Sequence, residues 1–154
     1  MMMDLPLDTW LLFDNVRRHH PEAEVVTRRH GKSERRTYRE YAARTQQLMH
    51  AIDRLAIPEG ARVSTLAWNH AEHLEAYFAI PCTGRVIHTA NIRLSADDLA
   101  FVLSHARSQA ILVDPDFVHL VAEVRDRLPD LRHVIVFADV LPDGKVDVIQ
   151  QLRD

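Results

Sequence analysis

WNHAEHLEAYFAIPCTGRVIHTANIRL, residues 68–94, decides the fold of this chain. The strand-like RVSTLA at 62–67 runs into the polar run Trp68-Asn69-His70. The spacing of apolar residues predicts a helix over 70–80, capped by Asn69 and closed by Pro81 and Gly84. RVIH at 85–88 reads as a second strand, opening into Thr89-Ala90-Asn91-Ile92-Arg93-Leu94. Together these make one βαβ unit. A polar loop follows each strand, at the edge where open α/β sheets bind ligands.

The same alternation continues downstream. Ser95-x-x-Asp98 caps a further helix, AILV at 110–113 is a strand, and Asp114-Pro115 opens a helix over 117–127. HVIVF at 133–137 is the next strand, and Asp143-Gly144 marks a turn before a short closing helix. Nearly all-apolar strands are buried on both faces, so a mainly parallel sheet with helices on both sides is expected. Upstream, Asp8 or Thr9 caps a helix over 10–19, with Leu7 and Leu12 placed as a staple. Glu24–Arg29 and Glu34–Thr37 flank Gly31 as a small β-hairpin. Thr37-x-x-Glu40 is a capping box. It opens a helix whose Tyr38, Tyr41, Thr45, Leu48, Ile52 and Leu55 share one face.

At 154 residues the length suits one domain, and 47% hydrophobic residues suffice for a core. The net charge of −3 argues against a general nucleic-acid or membrane-surface binder. No stretch approaches the roughly 20 apolar residues of a membrane helix. Cys82 is the single cysteine, which excludes an intrachain disulfide and fits a cytoplasmic setting. The closing VIQQLRD lacks a turn signal, so a truncated chain is the expectation.

The chemistry-bearing residues are few. Gly31, Gly60, Gly84 and Gly144 stand far apart, which rules out the dinucleotide fingerprint and the P-loop. His70, Glu72, His73 and Glu75 have ligand chemistry without a known metal spacing, and a solvated first helical turn is expected. Arg28, Arg29, His30, Lys32, Arg35, Arg36 and Arg39 make a basic hairpin at 28–39, opposed locally only by Glu34 and expected to be solvated. No serine sits in a nucleophile elbow, and nothing beside Cys82 in sequence activates it. At Asn91 and Arg93 two readings stand open. They form a ligand-facing edge, with Arg93 suited to phosphate, or Asn91 shapes the turn while Arg93 pairs with Asp97 or Asp98.

Several of these pieces, in order, resemble the N-terminal part of AMP-forming acyl-CoA synthetases, the adenylate-forming superfamily. They are Thr37-Tyr38-x-Glu40, Gly60-x-Arg62-Val63, Ala67-Trp68-Asn69, His73-Leu74-Glu75-Ala76-Tyr77, His88 through Leu94, and Val113-Asp114 before HVIVF. Medium- and long-chain fatty-acid–CoA ligases look most similar. The resemblance implies the N-terminal subdomain of that fold over 1–154. It also implies a parent reaction joining a fatty acid to CoA with ATP and Mg. The Ser/Thr/Gly-rich phosphate loop and the catalytic Lys of the family are absent from this chain, so no catalytic residue, no metal site and no cofactor held by the chain alone are expected. Arg93 would inherit a contact to a CoA phosphate, with Asn91 shaping its loop, although Ile92 stands where the family often has Pro. The implied partners are the remainder of the ligase and a second copy of the chain. The competing expectation is a non-catalytic α/β interaction module.

Overall fold

A computed structural model describes residues 8–29 and 31–137. The order is α1 (Thr9–His19), β1 (Glu24–Arg29), β2 (Lys32–Thr37), α2 (Tyr38–Arg54), β3 (Arg62–Leu66), α3 (Ala71–Cys82), β4 (Val86–Thr89), α4 (Ala96–His105), β5 (Ala110–Val113), α5 (Val118–Val124) and β6 (His133–Val136). Short 3-10 turns flank α5 at Pro115–Phe117 and Arg125–Arg127. Leu7, His30, the Asp143-Gly144 turn and the closing helix lie outside the described residues.

β1 and β2 form an antiparallel hairpin, and the other four strands form a parallel sheet in the order β4-β3-β5-β6. The registers Ser64↔His88, Ser64↔Ile111 and Ile111↔Val134 align the three pairs. Strand periodicity then divides the core. Val63, Ala110 and Leu112 face α1, α2 and α3 through Phe13, Tyr41, Ile52 and Ile80. Leu66, Ile111, Val113 and Val134 face α4 and α5 through Leu99, Leu103, Val121 and Val124. All four residues of β5 are fully buried, as befits a central strand flanked by β3 and β6. Each such aliphatic side chain contributes about 1.5–3 kcal/mol.

Helix starts follow the side-chain oxygens and nitrogens available. Asp8 accepts Leu11 N–H at 2.9 Å, and Ser95 accepts Asp98 N–H at 3.2 Å. Thr37 and Glu40 close a capping box on α2. The Tyr41 hydroxyl donates to the Leu74 carbonyl at 2.7 Å, which fixes α2 on α3.

Several boundaries differ from the sequence reading. α3 is capped by His70 rather than Asn69, because the imidazole Nδ1 accepts His73 N–H at 3.1 Å. It runs on through Pro81, since the Thr83 hydroxyl takes the Ala79 and Ile80 carbonyls at 3.0 and 2.8 Å. Gly84 at φ +75 then turns the chain into β4, which starts one residue later than expected. β2 begins at Lys32, two residues before the expected start. The helix expected over 117–127 is α only from Val118 to Val124. Asp114 makes no capping bond, for its carboxylate is engaged elsewhere.

Candidate functional site

The strand order places the site. The chain passes from β3 to β4 on one side, then crosses to the other side of β3 to lay down β5. Loops leaving β3 and β5 therefore diverge over opposite faces, and the crevice between them is where doubly wound sheets bind ligands. A cleft of about 580 Å³ lies there, walled by Arg28, Arg29, Trp68, Asn69, His70, Asp114, Asp116 and Phe137.

Asp114, at the end of β5, joins the two loops. It is 3% exposed, and its carboxylate accepts Trp68 N–H at 2.7 Å and meets His70 Nε2 at 2.9 Å. Trp68 is held again by its indole N–H, which donates to Asp116 at 3.0 Å, and by Phe117 at 5.2 Å between ring centroids. Half of Trp68 stays exposed, so one side of a fixed aromatic plane fronts the cleft.

His70 is buried at the cleft floor with its ring edge-on to Phe137 at 5.4 Å. Burial alone would depress its pKa, but hydrogen bonds to Asp114 and Glu72 outweigh that and raise it. Glu72, bonded to His70 and lying 2.9 Å from Arg36, is held well below the usual carboxylate range. His73 differs, for burial lowers its pKa. Its Nδ1 lies 3.1 Å from the Trp68 carbonyl, which only accepts, so Nδ1 carries the hydrogen. Its Nε2 therefore accepts from the Thr65 hydroxyl at 2.9 Å. Burial raises the pKa of Glu75, against the pull of Arg44 at 2.6 Å.

The expectation of a solvated His/Glu turn is thus overturned: His70, His73 and Glu75 are each under a tenth exposed. The basic hairpin is solvated as expected at Arg28, Lys32, Arg35 and Arg39, but Glu34 is not its sole opposing carboxylate. Arg35 pairs with Glu24 at 2.6 Å, Arg39 with Glu22, Arg36 with Glu72, and Arg29 lies 3.6 Å from Glu72. Glu22 and Glu24 at the start of the hairpin and Glu72 on α3 oppose these four arginines.

Asn91 and Arg93 lie in the turn that follows the edge strand β4, outside the lining of the cleft. Asn91 Oδ1 accepts Arg93 N–H at 2.9 Å and sets the turn. Asp97 pairs with Arg127 at 2.7 Å and Asp98 accepts the Ser95 hydroxyl at 2.7 Å, so neither engages Arg93. The Arg93 side chain is exposed. Cys82 is half-buried, and burial pushes its thiol up to about 11, which disfavours the nucleophilic thiolate.

His70 and Asp114 escaped the sequence reading as site residues. The available signal was a polar residue just past each of two neighbouring strands, RVSTL and AILV, one before and one after the crossover. As for bound groups, the described glycines sit singly at turns, so among the described residues no glycine-rich loop is present. Among the described residues no group of three His, Cys, Asp or Glu side chains is arranged to hold a metal ion. An exposed guanidinium at Arg93 does suit a phosphate. Among the described residues no helix is long and apolar enough to cross a membrane.

Comparison with known proteins gives three consistent results. A family model described as AMP-binding enzyme matches residues 12–151. The chain is 40% identical over 93% of its length to the long-chain-fatty-acid–CoA ligase of Thermus thermophilus, covering 27% of that protein. It is 31% identical over 82% of its length to the medium-chain-fatty-acid–CoA ligase of Ectopseudomonas oleovorans, covering 23%. Among solved structures, the anthranilate CoA ligase AuaEII in complex with anthranoyl-AMP superposes with TM-score 0.79 at 22% identity, over 87% of this chain and 26% of that one. The chain therefore spans about a quarter of the length of these relatives.

Proposed function

This chain belongs to the AMP-binding enzyme family, and on that premise we propose that it is the N-terminal subdomain, residues 1–154, of a fatty-acid–CoA ligase. The parent reaction would activate a fatty acid with ATP and Mg, releasing pyrophosphate, and pass the acyl group to CoA. The 40% identity to a long-chain ligase, carried through 93% of this chain, is the observation that supports this most strongly.

Within that reading the chain's own residues bind and position rather than react. Arg93 offers a CoA phosphate a charge-assisted pair, on a turn that Asn91 shapes. The fixed Trp68 forms one wall of the crevice. No step through ATP or Mg is assigned to these residues, because no phosphate cradle or ligand set is present among them. Catalysis requires the remainder of the ligase as partner. The exposed Trp10, Leu11 and Leu12 of α1 also favour a homo-oligomer. The paired arginines of the hairpin give no reason to invoke nucleic acid, and the lone Cys82 suits the cytoplasm.

The test is acid-dependent ATP–pyrophosphate exchange. The pure chain should show none, and the same segment within a full-length ligase should support it with fatty acids. Exchange by the pure chain, or a full-length enzyme indifferent to fatty acids, would overturn the assignment.

A further inference from the structure

We propose that His70 is a proton-operated latch on the floor of the cleft: its Nδ1 lies 2.9 Å from Glu72 Oε2 and 3.1 Å from the His73 backbone nitrogen, and it can serve only one of them at a time. The opposite ring nitrogen, Nε2, faces the Asp114 carboxylate at 2.9 Å and carries a hydrogen in either state, since a carboxylate only accepts. In the neutral ring, bare Nδ1 accepts His73 N–H and caps α3. In the cation, Nδ1–H donates to Glu72 and the His73 amide is released.

The charged surroundings come from four elements. Asp114 faces the ring from the end of β5, and Glu72 and His73 face it from α3. Arg29 of β1 and Arg36 of β2 reach it through Glu72, at 3.6 and 2.9 Å. Burial opposes the cation, as does Arg29, but the two carboxylates on opposite sides of the ring outweigh both and the balance is a raised value. Phe137, just past the end of β6, packs T-shaped against the ring at 5.4 Å between centroids.

Proton uptake therefore completes a chain of contacts, Asp114–His70–Glu72–Arg36, from the central strand to the hairpin. Asp114 and Trp68 form one side of the cleft and Arg28 and Arg29 another. The protonated latch adds one further link between the two sides, so the geometry of the cleft is tied to pH. The inference stands on the geometry of this chain and does not depend on the ligase reading.

The experiment is an NMR titration of the ¹⁵N-labelled chain from about pH 5.5 to 9, following the His70 ring nitrogens and the His73 amide. The His70 midpoint is expected above the ordinary 6.5, with the His73 amide shifting at the same midpoint. In Glu72→Gln the midpoint should fall by about one unit or more. A His73 amide that stays flat while His70 titrates overturns the latch, and this readout needs only the unmodified chain. A midpoint unmoved in a folded Glu72→Gln variant overturns it equally.

Discussion

The Ala71 N–H donates to the buried hydroxyl of Thr27 at 3.0 Å, which ties the first turn of α3 to strand β1 across 44 residues of sequence. The cleft side built by β1 is positioned through this bond. Thr27→Val keeps the shape and removes the acceptor, leaving a buried amide unpaired. A loss of ~1–3 kcal/mol is expected, read as a lower urea midpoint with unchanged slope.

His70 on the cleft floor and the buried His73 have opposite pH signatures. The raised value of His70 contributes stability that is complete below pH 6.5 and is lost as pH rises through the folded value. The lowered value of His73 works the other way, costing stability as pH falls below 6.5. Replacing His70 with Asn should therefore destabilise the chain more at about pH 6 than at about pH 8.5. Denaturant midpoints of both proteins at the two pH values check this.

Much of this architecture was legible in the residues alone. All-apolar runs such as AILV announce strands buried on both faces, and boxes such as Thr37-x-x-Glu40 fix helix starts, because both depend on neighbours within a turn or two. The polar cluster was not legible. Whether His70 meets solvent or Asp114 depends on β5 lying beside β3, a fact of topology and not of local sequence. Arg36 likewise finds Glu72 and Glu75 on a helix much later in the chain. Asn69 looked the better cap because its type is usual there, yet the next side chain reached the amide.

Leu112 is fully buried on the central strand, and Leu12 is 56% exposed on α1. Leu112→Ala should cost ~2–5 kcal/mol through lost burial and the cavity left behind. Leu12→Ala should leave stability within about 0.5 kcal/mol while reducing self-association. Thermal denaturation and light scattering separate the two effects.

Cys82 should alkylate slowly. A thiol at about 11 against an ordinary 9.0 carries roughly a hundredth of the usual thiolate at mildly alkaline pH. Iodoacetamide modification near pH 8 should run far below that of a free cysteine peptide, and unfolding in urea should restore the ordinary rate.

Arg93→Ala, made in a full-length ligase carrying this segment, should raise the KM for CoA and leave the adenylate half-reaction nearly unchanged. A charge-assisted phosphate contact is worth ~1.5–3 kcal/mol, or about tenfold or more in KM. An exposed side chain predicts an unshifted Tm as well. A joint fall of both half-reactions with the Tm would make Arg93 structural.

The crossover that opens the cleft also sets an order of events during synthesis. β3 and β4 leave the ribosome with only α3 between them and pair early. The other side of β3 has no strand beside it until β5 is made, after α4. During that interval the amides and carbonyls of Arg62–Leu66 face outward along an open edge, which any nearby extended chain can occupy. Replacements that slow the arrival of β5 should therefore lower the soluble yield of newly made protein more than they lower the equilibrium stability of the finished one.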